Sequence, residues 1–273
     1  MLTNAIIGDS VGADLNKIAP TSRGSVYANT VRQTKSKFPG NGFPTKNSSV
    51  LYHTFKYLME HKPTVAQLKV LKPNFTGTTA ENITFGTAIA LGLYCAMVEM
   101  EQDEFIQMIN NAIVSFQISK HDCSVYYYLA LTTYQLINDG YLRPQHFDDL
   151  SRLNLMSGNF LTALSWLNVY AFYKDTYCNG LLAPLEIMAP LTYAERVAAM
   201  SVFYLFQSFS GYGKKPRFAV EEFVGNTPML DEADVLFVYS ALCTASEHQY
   251  LLFTKPLQEK MRYHTELCLL MKT

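Results

Sequence analysis

Thr84-Phe-Gly-Thr-Ala-Ile-Ala-Leu-Gly-Leu-Tyr-Cys-Ala-Met-Val-Glu-Met100 is apolar on nearly every face that a helix could present. A helix of that kind belongs in the middle of a bundle rather than on its surface. Its small residues, Gly86, Thr87, Ala88, Ala90 and Gly92, let neighbouring helices approach closely. A second stretch of the same character runs from Val235 to Ser246, with Ser240, Ala241, Thr244, Ala245 and Ser246. Two such helices at the centre imply amphipathic helices around them, and the sequence supplies these. Phe105, Met108, Ile109, Ala112, Ile113 and Phe116 recur at the i, i+3, i+4, i+7 spacing of one buried stripe. Val125, Tyr128, Leu129, Thr132, Thr133 and Leu136 repeat the pattern, and Asn138-Asp139-Gly140 then reads as a helix stop. Val202, Leu205, Phe206 and Phe209 form another face before Ser210-Gly211-Tyr212-Gly213. A last one between Pro256 and Met271 aligns Leu257, Met261, His264 and Cys268.

Residues 17–49 differ, being rich in Gly, Pro, Ser, Thr, Asn and Lys, with Pro39-Gly40-Asn41-Gly42 as turn chemistry. They are expected to form a long loop. No internal repeat and no strand alternation is present. The expectation is an all-α fold, a single-domain helical bundle over residues 1–273.

The composition narrows the function classes. A 273-residue chain that is 49% hydrophobic can bury a sizeable core. A net charge of −1, with only the scattered Arg32, Lys35 and Lys37 as a basic cluster, argues against a nucleic-acid surface. Met1 to Asp9 places no basic stretch before an apolar one, and no apolar run reaches the roughly 18 residues of a membrane span. Neither a secretory leader nor a membrane contact is therefore expected. Cys95, Cys123, Cys178, Cys243 and Cys268 lie far apart, without metal-ligand spacing. They read as reduced thiols of a cytoplasmic protein, not as a zinc site. The charged fraction of 16% is low beside the usual quarter, which suits a chain that hides surface in a homo-oligomer or larger assembly.

Four short stretches carry a resemblance. Ala5-Ile-Ile-Gly-Asp-Ser-Val-Gly-Ala-Asp-Leu-Asn16 is similar to an opening A-x-x-G-D-A-L-G-A-P-x-E. Thr79-Ala-Glu-Asn82 stands where a T-D-D-T turn precedes a small-residue helix. Leu191-Thr192-Tyr193 stands for a T-H ahead of a helix. Glu232-Ala-Asp-Val235, running into Ser240-Ala-Leu-Cys-Thr-Ala-Ser246, stands for G-D-x-D-T and its small-residue helix. In this order the four resemble the ADP-ribosylglycohydrolase family.

That resemblance implies paired Mg²⁺ ions held between the T-D-D-T turn and the C-terminal D-x-D-T. They orient an ADP-ribose and activate water. Here Thr79, Glu81, Glu232 and Asp234 are the remaining candidate metal ligands, while Ala80, Asn82 and Val235 depart from the pattern. Asn16 ends the opening motif where many members carry the catalytic acid, and an amide cannot act as a general base. Acids in a first helical turn also stabilise the helix dipole, which is the purely structural account of these carboxylates. Candidate ligand-binding residues are Asp9, Asn16, Gly158, Asn159 and Tyr193. The resemblance gives Asp9 the task of holding the N-terminal turn. Ser157-Gly158-Asn159 resembles a ligand-approaching G-N-G loop, but Phe160 replaces the second glycine, and a helix start explains it equally well. Tyr193 replaces a histidine and can stack or hydrogen-bond without shuttling protons.

The other chemistry-bearing residues read as bland. His121 and Cys123, two apart, point to different sides of a helix. His53, His61, His146 and His248 are isolated. Tyr126-Tyr127-Tyr128 supplies one core face, its other rings suiting a packing interface. The expected function is a degenerate, ADP-ribosylglycohydrolase-like pseudoenzyme that binds ADP-ribose, a related nucleotide or an ADP-ribosylated protein without efficient hydrolysis. The alternatives are an active Mg²⁺-dependent ADP-ribosyl hydrolase working through Glu81 or Glu232, and a structural protein that reuses the scaffold.

Overall fold

The computed structural model describes residues 2–32, 45–68, 75, 77–140, 157–166, 186–209 and 230–245. Among them the chain is mostly helical and contains no strand. It divides into two compact units, Lys46–Ser157 and the flanking Met1–Thr45 with Gly158–Thr273.

The first unit contains α1 (Leu2–Leu15), α2 (Pro20–Arg32), a helix over residues 158–166 (α8), α9 (Tyr193–Phe209) and α10 (Glu232–Ala245). Its main contact is α1 against α10, and α9 also packs against α10. Residues 5–12 of α1 and Glu232 to Cys243 of α10 are buried on every face. What lets two helices come so close is a pair of glycines one turn apart on α1. A Cβ added at Gly8 would fall on the Ser240 hydroxyl and the Leu236 carbonyl. One added at Gly12 would fall on the Glu232 carbonyl and the Ala233 backbone. Because Gly8 meets residues later in α10 than Gly12 does, the two helices run antiparallel. The glycines of the opening motif thus serve helix packing.

The second unit contains α3 (Lys46–His61), α4 (Val65–Leu68), α5 (Ala80–Met97), α6 (Gln102–Ser115) and α7 (Cys123–Asp139). Helix α5 is central, with α3 and α7 packed against it and Thr84 to Ala96 wholly buried. Thr79 caps it, its hydroxyl accepting from the Asn82 N–H at 3.2 Å. On α6 the expected stripe is inward at Phe105, Met108, Ile109 and Ala112. Helix α7 stops at Gly140, whose φ of 77° is the left-handed conformation that glycine adopts at low cost, with its N–H on the Leu136 carbonyl at 2.9 Å. Tyr126, Tyr127 and Tyr128 are all buried, so the rings expected at a packing interface lie inside as well.

Two further corrections concern residues 17–49 and the count of buried helices. Residues 20–32 and 46–49, expected as loop, are helical. Pro20 opens α2, a position where its missing N–H costs nothing. Arg23 ties the helix to the end of α1 through bonds to the carbonyls of Ile18 at 3.0 Å and Asn16 at 3.3 Å, and Tyr27 is buried. Helix α1 joins the two helices expected to be buried on all sides. Pro39–Gly42, Ser210–Gly213 and the segment from Pro256 to Met271 lie outside the described residues, as do the side chains of Phe206 and Phe209. Among the described residues no helix is long and apolar enough to cross a membrane.

Candidate functional site

Four of the candidates in the first unit, Asn16, Tyr193, Glu232 and Asp234, converge on the N-terminus of α10. Asp231 precedes that helix and caps it. Its carbonyl accepts the first helical bond, from Val235 N at 3.1 Å, and its Oδ1 accepts from Ala233 N at 2.8 Å. Asn16, at the end of α1, is committed at both ends of its amide. Nδ2 donates to Asp231 Oδ1 at 2.7 Å, and Oδ1 accepts from Glu232 N at 3.1 Å. No carboxylate can replace both bonds, because an ionised one has no donor.

Glu232 and Asp234 share this turn and are both buried. Glu232 Oε1 lies 3.7 Å from Arg23 Nη1, a cation delivered by α2. Asp234 Oδ2 accepts from the Tyr193 hydroxyl at 2.6 Å, and the same hydroxyl accepts from Asp231 N at 3.3 Å. Burial, and then the charge of Asp234 beside it, raises the Tyr193 phenol above its ordinary range. Tyr193 is itself placed by a reciprocal cap on α9. Thr192 N donates to Glu195 Oε2 at 2.9 Å, and Glu195 N donates to Thr192 Oγ1 at 3.3 Å.

Asp9 lies within α1, fully buried, and holds Thr45. It accepts from the Thr45 N–H at 2.8 Å and from the Thr45 hydroxyl at 2.6 Å. Gly158 and Asn159 open α8 and are exposed, Phe160 is buried, and a Cβ at Gly158 would meet nothing within 4 Å. Asn159 lines a pocket of about 360 Å³ with Thr162, Trp166 and Glu186, walled by Ala163, Ile187 and Pro190.

In the second unit Thr79 is an exposed helix cap and Glu81 a half-buried residue in the first turn of α5. Asn82 turns to Asn47, donating to its Oδ1 at 2.8 Å. Among the described residues no three His, Cys, Asp or Glu side chains gather closely enough to hold a metal. Glu232 and Asp234 fit a divalent ion poorly, since a guanidinium and a phenol already serve them.

No protein-family model, curated protein or solved structure matches this chain.

Burial, a hydrogen bond or ring contacts hold the cysteines and two of the histidines that the structure describes. Burial raises the Cys95 thiol and pushes that of Cys243 up to about 12. Cys123 is raised by burial and by Asp122, and its Sγ donates to the Ser119 carbonyl at 3.3 Å. His61 stacks on Tyr57 with ring centroids 4.1 Å apart, and His53 packs edge-on against Tyr52. Cys178, Cys268, His146 and His248 lie outside the described residues.

The sequence reading missed three residues of the α10 network: Asp231, Arg23 and Glu195. Two had a local signal. Asp231 directly precedes the small-residue helix, and Thr192-x-x-Glu195 is a capping-box pattern. Arg23 had none, because its partner is more than two hundred positions away.

Proposed function

We propose that this chain is an ADP-ribosylglycohydrolase-like protein that binds ADP-ribose or a related nucleotide without efficient hydrolysis. The nucleotide class follows from the four motifs. The loss of hydrolysis is supported by one observation above the others: Asn16, standing where the family pattern places its acid, spends both ends of its amide on the first turn of α10. The residue supplies no base and its geometry is that of a brace. Arg23 beside Glu232 supplies in a fixed side chain the positive charge that a divalent ion would bring, so ligand capture is proposed to be independent of metal. Asp9, Asn16 and Tyr193 then shape the scaffold behind the ligand.

Isothermal titration calorimetry with ADP-ribose, run in Mg²⁺ and again in EDTA, tests this. We expect a dissociation constant on the order of micromolar, the same in both buffers. An incubation with an ADP-ribosylated arginine substrate should release no ADP-ribose. Heat only in Mg²⁺, together with product, would replace this reading by the Mg²⁺-dependent hydrolase. No heat in either buffer would remove ADP-ribose as the ligand and favour the structural, assembly-type reading.

A further inference from the structure

Helix α8 and the helical turn at 186–188 frame the 360 Å³ pocket, a size within the usual range of small-ligand sites. Among the described residues that line it, Glu186 is the only charged one. Glu186 is exposed, and its side chain has no hydrogen-bond or ion-pair partner among the described residues. The Thr162 hydroxyl already donates to the Gly158 carbonyl at 2.8 Å, so it meets a ligand as an acceptor. The Asn159 side chain is exposed and offers an amide oxygen. Trp166, the single tryptophan of the chain, is 57% exposed. The pocket thus combines acceptors, one carboxylate and an indole.

We propose that this pocket binds a guanidinium cation, free or on an arginine side chain. A guanidinium is planar and stacks on an indole, the best of the aromatic partners for a cation. It also carries five N–H donors for the acceptors that Glu186, Asn159 and Thr162 present. A quaternary ammonium has no donor and leaves those acceptors without partners. A pyrophosphate meets the repulsion of Glu186, with no cation among the described lining residues to offset it. The site is separate from the α10 network and does not rest on the nucleotide reading.

Trp166 gives the assay its signal, since all tryptophan emission of the intact chain comes from this pocket. The protein is titrated with methylguanidinium, with the peptide Gly-Arg-Gly, with tetramethylammonium and with inorganic pyrophosphate. Methylguanidinium and Gly-Arg-Gly should change the emission saturably, with millimolar dissociation constants. Glu186→Gln should weaken both by about threefold to fivefold, as the loss of one exposed ion pair allows. Tighter binding of the peptide than of methylguanidinium assigns the site to arginine side chains, and equal binding assigns it to small guanidino compounds. The proposal is overturned if neither guanidinium probe gives a saturable change, if tetramethylammonium or pyrophosphate binds as well, or if Glu186→Gln leaves the constants unchanged. A urea titration of E186Q, expected to match the parent chain, confirms that its pocket is intact.

Discussion

Replacing Asn16 by aspartate tests the central structural argument, because it changes one NH₂ group into an oxygen and nothing else. The parent amide donates to Asp231 Oδ1 at 2.7 Å and accepts from Glu232 N at 3.1 Å. Asn16→Asp keeps the second bond and loses the first. A hydrogen bond to a charged group is worth about 1.5–3 kcal/mol, and the exposure of Asp231 reduces this to about 1 kcal/mol. The new carboxylate also faces Asp231, and two like charges about 4 Å apart in water repel by about 1 kcal/mol. The total is a loss of about 2 kcal/mol near neutral pH, equivalent to a fall in melting temperature of roughly 4 °C or more for a chain of this size. The sign of the pH dependence follows. Asp231 holds the introduced carboxyl protonated to a higher pH in the folded state than in the unfolded one. The deficit is therefore absent below the ordinary aspartate range and develops as pH rises through and above it. Urea titrations followed by circular dichroism, at acidic and neutral pH, measure this. If Asn16→Asp equals the parent chain at neutral pH, or shows a deficit independent of pH, Asn16 does not brace α10 and the argument fails.

Three further predictions concern the same packing and its buried groups. Gly12→Ala places a methyl on the Glu232 carbonyl and the Ala233 backbone, neither of which can rotate away. It should cost about 3 kcal/mol, the upper end for overpacking, whereas Gly158→Ala, with open space around it, should stay within about 0.5 kcal/mol by the same urea titration. Tyr193→Phe removes the donor to Asp234 and the acceptor for Asp231 N, and should cost about 1–3 kcal/mol at neutral pH. Because the folded-state Tyr193 phenol is raised, its stabilisation is present below the ordinary tyrosine value of about 10 and is lost as pH climbs above it, so the gap between parent and variant should narrow in alkali. Cys95 and Cys243, buried and with raised thiols, should stay unalkylated by iodoacetamide in the native protein at neutral pH, as read by peptide mass spectrometry. Rapid labelling of either would contradict the packing of α5 or α10.

The helical cores were legible because their signals are local. An all-round apolar run such as Thr84 to Ala96 has no surface role in water, and the glycine at 140 stops α7 by its own backbone preference. Helix α1 was less legible as a buried element, since Asp9, Ser10 and Asp14 break its apolar pattern. In the structure each has a near partner: Thr45 for Asp9, the Ile6 carbonyl for the Ser10 hydroxyl, and Lys17 for Asp14. Helix α2 was hidden by composition. Its glycine, serines and threonines favour loops by propensity, and tertiary anchors through Arg23 and Tyr27 override that preference. The candidate site was legible as a set of positions but not as a set of partners. Asn16 and Glu232 stand 216 positions apart, and only a fold brings them to 3.1 Å.

The network at α10 shows how a helix N-terminus rich in acids can be satisfied entirely by the chain's own side chains. A helix N-terminus presents N–H groups that must find acceptors, and in a metal-binding pattern the acids there face outward to the ions. Here the first turn is closed from within. Asp231 and Asn16 accept from the N–H groups of Ala233 and Glu232, and Tyr193 accepts from that of Asp231. The two acids then meet Arg23 and the Tyr193 hydroxyl. Each of these residues is explained by another residue of the chain, and Asn16 is required because only an amide joins an acceptor on one side to a donor on the other. An ionised acid at position 16 would conflict with Asp231 and weaken the brace, whatever chemistry it could offer.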